Sequence, residues 1–264
     1  MFEIPSDWSS DVPDAVAYLL VTHGSRDPRS HQGAIALSRQ LSPSPMGTAV
    51  LELGPVPLHQ QVIDFVRQIR LPSGGRLRIL PLFLLPGVHV MEDIPAEVAL
   101  AKQGLGERVH LELLSYLGSQ QSGMVKLLQQ PGPGILIAHG SNRPGATAPV
   151  EALAKWLGLQ TAYWVQPESL VERIAAIAQV FEENAIQDTG PSPEPRAIAI
   201  LPYFLFEGAI TDAIAERLKL LEPQFPELQL RLRPTLSEIP GFVHLVQQHL
   251  SDSTAPVTGR TIAG

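Results

Sequence analysis

Two histidines and one glutamate stand out in this chain for where they sit. His23 and His89 each follow an apolar run, beside Gly24 and Gly87, and Glu52 lies in Leu51-Glu52-Leu53 near the end of another run. If those runs are parallel strands, working residues collect at their carboxyl ends. Glycines there let backbone approach a ligand closely. Two neutral imidazoles and a carboxylate at one sheet edge bind borderline divalent ions such as Fe²⁺, Co²⁺, Ni²⁺ or Zn²⁺. A site with so few ligands releases its ion readily, which suits delivery better than permanent structural binding. Five of the other six histidines, His31, His59, His110, His244 and His249, read as solvated or core residues, and His139 belongs to the repeat described below. His244 and His249 are five apart and share no helix face.

Other chemistries find no support. There is no G-x-S-x-G elbow, no phosphate-binding G-x-x-x-x-G-K-[ST] loop and no H-E-x-x-H helix. Ser25 follows His-Gly, but not in the strand–nucleophile–helix turn of an esterase. Gly132-Pro133-Gly134 precedes a strand, whereas a dinucleotide fingerprint follows one. With 0 cysteines among 264 residues, thiol catalysis, disulfides and thiolate metal sites are excluded. A formal charge of −7 without any Lys/Arg-rich run argues against nucleic acid as a partner. No apolar stretch approaches the ~20 residues of a membrane span. The start of the chain, Met1 to Asp14, is acidic and lacks a signal core, so a cytoplasmic protein is expected.

The elements that must position these residues come in duplicate. Val21-Thr22-His23-Gly24-Ser25-Arg26-Asp27-Pro28 returns as Ile137-Ala138-His139-Gly140-Ser141-Asn142-Arg143-Pro144. Leu80-Pro81-Leu82-Phe83-Leu84-Leu85-Pro86-Gly87 returns as Leu201-Pro202-Tyr203-Phe204-Leu205-Phe206-Glu207-Gly208, in the same order. Pro191–Pro195 accounts for a small insertion in the second copy. Apolar runs of strand length are predicted as strands over 17–22, 48–53, 77–85 and 108–114, and again over 134–138, 161–165, 197–206 and 228–232. Helical periodicity predicts helices over 35–41, 60–69, 94–102 and 120–129, then 147–157, 170–182, 210–221 and 242–250. Such alternation means an α/β fold: two similar domains, each a mainly four-stranded parallel sheet with helices on both faces. The expected organisation is an extension over 1–16, domains over 17–130 and 134–250 joined by the linker Gln129–Gly134, and a tail over 251–264.

His23-Gly24-Ser25-Arg26 after an apolar strand, Leu51-Glu52-Leu53, and Leu80-Pro81-Leu82-Phe83-Leu84 followed by His89 and Asp93-Ile94-Pro95 together resemble the sirohydrochlorin chelatases. These are class II tetrapyrrole chelatases of siroheme and cobalamin synthesis, here in the long two-domain form. The resemblance covers roughly residues 17–250. It implies two chelatase-like domains facing across a cleft, with His23 and His89 binding the incoming ion and Glu52 assisting. The metal, Fe²⁺ or Co²⁺, would then be a substrate, with no tightly bound cofactor, and the partner a polycarboxylated tetrapyrrole, sirohydrochlorin. Ser25, Arg26, Arg29 and Arg143 are the expected contacts for its carboxylates. The second half departs from the pattern: His139 is kept, but Ile210 aligns with His89, and Tyr163-Trp164-Val165-Gln166 offers no acid where Glu52 stands. One site, on the first domain, is expected. A non-catalytic metal or tetrapyrrole carrier is the alternative. A two-lobed sugar- or phosphate-binding module is less well supported, since imidazoles are poor phosphate ligands beside helix-terminal amides.

Overall fold

The computed structural model describes residues 15–41, 45–141, 145–187 and 196–252, with the backbone alone for 184–187. The expected extension up to residue 14, Arg143, the Pro191–Pro195 insertion and the tail from residue 253 lie outside the described residues. In chain order the elements are β1 (Val16–Thr22), α1 (Pro28–Gln40), β2 (Met46–Val50), α2 (Leu58–Gln68), β3 (Arg76–Pro81), a π-helical turn (His89–Asp93), α3 (Ile94–Leu105), β4 (His110–Leu113) and α4 (Gln121–Leu128). They continue as β5 (Gly134–Ala138), α5 (Ala148–Leu157), β6 (Gln160–Tyr163), α6 (Pro167–Gln187), β7 (Arg196–Pro202), α7 (Ala209–Leu221), β8 (Leu228–Leu232) and α8 (Phe242–Ser251).

Each repeat builds a four-stranded, wholly parallel sheet, in the orders β2-β1-β3-β4 and β6-β5-β7-β8. The central strands are largely apolar, Arg76 and Arg78 of β3 and Arg196 of β7 apart, because helices cover both of their faces. In the first sheet Ala17, Leu19, Val21, Leu77 and Ile79 pack with Val62 and Phe65 of α2 and Ile94 and Val98 of α3. In the second, Ile135, Ile137, Ile198 and Ile200 pack with Leu170, Ile174 and Ile177 of α6 and Ile214 and Leu218 of α7. Truncating the fully buried Phe65 to alanine would cost about 3–5 kcal/mol.

Several boundaries differ from the periodicity for local reasons. The helix predicted over 35–41 begins at Pro28: the Asp27 carboxylate accepts from the Arg29 amide, and a proline at the first position needs no donor. The long runs predicted over 77–85 and 197–206 stop at Pro81 and Pro202. Proline withdraws a ladder donor, Leu82 and Tyr203 make the last bonds to Val21 and Ile137, and the chain bends. The apolar residues beyond therefore line the sheet edge instead of extending it.

The chain also divides by packing into two compact units. One unit comprises the described residues up to Gln120 together with those from Gly241 on; the other runs from Gln121 to Pro240. Thus α8 belongs with the first sheet and α4 with the second. The face carrying Tyr18, Arg78 and Glu112, which stand in register on β1, β3 and β4, explains why α8 docks where it does. Arg78 is buried, makes a two-pronged bond to Glu112 (2.9 and 2.8 Å), and donates to the Leu250 carbonyl. That carboxylate is held below its ordinary range by the Arg78 hydrogen bonds. His249 is buried too: Nε2 donates to the Ser115 carbonyl at 2.7 Å, and Nδ1 meets the Gln120 amide nitrogen at 2.6 Å. His59 bonds Glu97, which also accepts from the His59 amide at the start of α2. Both histidines are structural.

Candidate metal centre

His23 is the first residue after β1, Glu52 the second after β2, and His89 opens the π-helical turn ahead of α3. The backbone joins the first two: the Leu51 amide donates to the Thr22 carbonyl and the Glu52 amide to the His23 carbonyl, at 2.9 and 2.8 Å. The strand pairing thus outlasts β2 by two residues, until Leu53 turns the chain with φ 59°. Gly24 has φ +100°, and a Cβ there would lie 2.0 Å from the Glu52 carbonyl oxygen. Only glycine permits the two loops to come so near, which is the physical content of the His-Gly pair.

The three side chains meet. His23 Nε2 lies 3.2 Å from His89 Nε2 and 3.8 Å from Glu52 Oε2, and His89 Nε2 lies 4.0 Å from Glu52 Oε1. Bonds of ~2.1 Å in tetrahedral geometry separate ligand atoms by roughly 3.4 Å, so these spacings suit one divalent ion. Among the described residues this is the one cluster of three or more such ligands. His23 and Glu52 are about half exposed, at 50% and 51% of their side-chain surface, so the centre is open to a large reactant.

Each imidazole is oriented from behind. His23 Nδ1 lies 3.1 Å from the Gly24 carbonyl and His89 Nδ1 lies 2.7 Å from Asp93 Oδ2. Both oxygens are acceptors, so both Nδ1 atoms carry the hydrogen and both Nε2 lone pairs face the cluster. Asp93 was not singled out for a role by sequence reasoning. Its signal was the four-residue spacing from His89, which puts both on one side of a helical turn. Phe83 stands behind the pair, its ring centre 6.2 Å from that of His23 and 6.5 Å from that of His89. Near in sequence to the ligands, Leu53, Val56, Val88 and Met91 are exposed apolar side chains.

The other residues named from the sequence fare differently. Arg26 and Ser25 are exposed and border a cavity that Glu52 also lines. Arg29 is committed to Asp27 through a two-pronged bond at 3.1 and 2.7 Å, so it is not the ready clamp expected. In the second repeat His139 repeats the backbone geometry of His23, with Nδ1 3.2 Å from the Gly140 carbonyl. The residue whose amide bonds the His139 carbonyl, as Glu52 does for His23, is Val165. Ile210, aligned with His89, packs against the core of its own sheet. His139 therefore has neither companion.

The chain is similar to known proteins. A curated sirohydrochlorin cobaltochelatase of Priestia megaterium is 24% identical over 81% of this chain and 72% of its own. The crystal structure of the sirohydrochlorin chelatase SirB from Bacillus subtilis subspecies spizizenii, in complex with cobalt, superposes with a TM-score of 0.65 at 18% identity, over 89% of this chain and 93% of that one. SirB from Bacillus subtilis with Fe³⁺ gives 0.64 at 18% identity, covering 89% and 94%. At such identity these structures attest the shared two-sheet fold. The CbiX family model matches twice, over residues 17–131 and 133–253, once for each repeat, and the chain belongs to the CbiX family.

Proposed function

We propose that the protein is a sirohydrochlorin chelatase that inserts Fe²⁺ or Co²⁺ into the tetrapyrrole at the His23–Glu52–His89 centre. The observation that carries the reading is the convergence of two Nε2 lone pairs and a carboxylate, all within 4.8 Å of one another. Membership of the CbiX family, and the names of the relatives, support the substrate class.

Insertion exchanges two pyrrole N–H protons for one divalent cation, so charge balances without any redox step. His23, His89 and Glu52 present the ion as it arrives. As pyrrole nitrogens bond to the metal, its bonds to the imidazoles break, and each freed Nε2 lone pair accepts a proton that the macrocycle gives up. Asp93 and the Gly24 carbonyl keep each Nδ1 hydrogen in place, so the same nitrogen serves as ligand and then as base. Glu52 offsets the charge of the ion before transfer and of the imidazolium after it. The apolar side chains of Leu53, Val88 and Met91 suit the face of a macrocycle, and Arg26 suits one of its carboxylates.

The purified protein, mixed anaerobically with sirohydrochlorin and either Co²⁺ or Fe²⁺, is expected to convert the visible spectrum to that of the metallated product at a rate proportional to protein. Stoichiometric binding of metal or macrocycle without turnover would favour the carrier reading instead.

A further inference from the structure

A cavity of about 340 Å³ lies beside the loop that carries His23. It is bordered by Gly24, Ser25, Arg26, Ser30 and His31 on one flank and by Val50, Glu52, Leu53 and Pro55 on the other. It thus adjoins the metal centre through Glu52, while neither His23 nor His89 lines it. Its charges are not equivalent. The nearby Asp27 carboxylate is matched by Arg29, and Glu52 lies within 4.0 Å of both imidazoles. Arg26 is the cation left over: exposed, lining the cavity, and with no hydrogen-bond or ion-pair partner among the described residues. Ser30 and His31 add hydrogen-bonding groups from the first turn of α1, and Val50, Leu53 and Pro55 supply an apolar wall. A guanidinium with hydroxyl and imidazole groups facing aliphatic side chains fits a carboxylate on a short methylene stem.

We propose that this cavity is a carboxylate subsite, in which Arg26, assisted by Ser30 and His31, holds one acidic side chain of the macrocycle while Glu52 attends the ion. The subsite rests on the chelatase reading above, and it favours Arg26 over Arg29 among the three arginines that the sequence left equal. Because His23 and Arg26 share one short loop between β1 and α1, a carboxylate held there fixes where the macrocycle's edge lies relative to His23.

The test is anaerobic fluorescence titration of metal-free sirohydrochlorin onto the full chain, with steady-state chelation of Co²⁺ alongside. R26Q should raise the dissociation constant for the free macrocycle about tenfold, equivalent to ~1.4 kcal/mol, and raise its KM similarly while the KM for Co²⁺ stays within twofold. R26K, which keeps the charge but not the fork, should recover part of the loss. R29Q, which removes a guanidinium already held by Asp27, should change the macrocycle constant less than R26Q does. An R26Q protein that binds sirohydrochlorin as the wild type does, or an R29Q protein weakened as much as R26Q, overturns the subsite alone. A wild-type protein that neither binds nor metallates sirohydrochlorin overturns the chelatase reading and the subsite with it.

Discussion

His23 Nε2 and His89 Nε2 face one another at 3.2 Å although each ring's other nitrogen is tied to an oxygen acceptor. Two bare lone pairs at that distance repel unless a cation lies between or beside them, and the Glu52 carboxylate adds a third electron-rich atom to the same place. The fold holds this arrangement from three separate loops at one sheet edge. Packed strands and their glycine-permitted contacts therefore supply the energy that keeps the three side chains together.

The first prediction follows from the asymmetry of the two halves. H23A and H89A should each lower kcat/KM for chelation by two orders of magnitude or more, the range expected when a positioned acid–base and ligand group is lost. H139A should keep activity within a few-fold, since Val165 and Ile210 stand where a carboxylate and a second imidazole would be needed. Steady-state rates with thermal melts as a folding control decide this. A folded H139A protein as inactive as H23A would mean that both repeats serve one ion or one macrocycle.

Asp93 sets the second. Removing the acceptor behind a metal-binding imidazole commonly lowers metal affinity 10–100-fold. D93A should therefore weaken Co²⁺ binding by about that factor while leaving the affinity for metal-free sirohydrochlorin nearly unchanged. D93N, whose amide oxygen still accepts from Nδ1, should recover part of the loss. Isothermal titration with Co²⁺ alone reads the effect directly, and equal losses for macrocycle and metal would point to collapse of the turn.

Gly24 and Gly74 offer a paired test of the close loop contact. Both have positive φ, +100° and +85°, but a Cβ at Gly74 meets nothing within 4 Å, whereas one at Gly24 would sit 2.0 Å from the Glu52 carbonyl oxygen. G74A should cost about 1 kcal/mol, the conformational penalty alone. G24A should cost clearly more, about 2–3 kcal/mol, and weaken Co²⁺ binding because the Glu52 segment must move. Urea denaturation compares the two, and equal costs would show that the loops separate freely.

Acid should loosen the docking of α8. Burial lowers the affinity of His249 for a proton below the ordinary histidine value near 6.5, only partly offset by the Ser115 carbonyl. The folded state thus prefers the neutral ring. Its contribution to stability is complete above the unfolded-state pKa of about 6.5 and is lost as pH falls from there toward the lower folded-state value. Urea midpoints for wild type and H249Q at pH 7.5 and 5.5 should show a larger acid loss in the wild type. H249Q should also be less stable at pH 7.5 by about 1–3 kcal/mol, because buried partners lose a bond. Parallel pH dependences in the two proteins would refute the assignment.

The duplication, the strand–helix alternation and the clustered His23, Glu52 and His89 were legible because each left a local signature: a repeated His-Gly-Ser, apolar runs of strand length, and polar residues at or just past the ends of those runs. The ladder bonds carrying Glu52 beyond its strand were not, since they depend on a register between β1 and β2 that no single run encodes. Nor was the difference between Arg26 and Arg29. Both lie in one short segment, and only the fold shows Asp27 reaching Arg29 as it caps α1. The membership of α8 in the first unit was likewise hidden, because adjacency in sequence assigns it to the second repeat.

That assignment of α8 sets an order of events during synthesis. A ribosome delivers β1 to β4, with His23, Glu52 and His89, well before it reaches Phe242. Until α8 emerges, the Arg78 guanidinium has no Leu250 carbonyl to donate to, and the Ser115 carbonyl has no His249. The half that carries the His23–Glu52–His89 cluster is the first begun and the last finished. A premature stop late in the second repeat would therefore disable a centre whose own residues had all been made correctly.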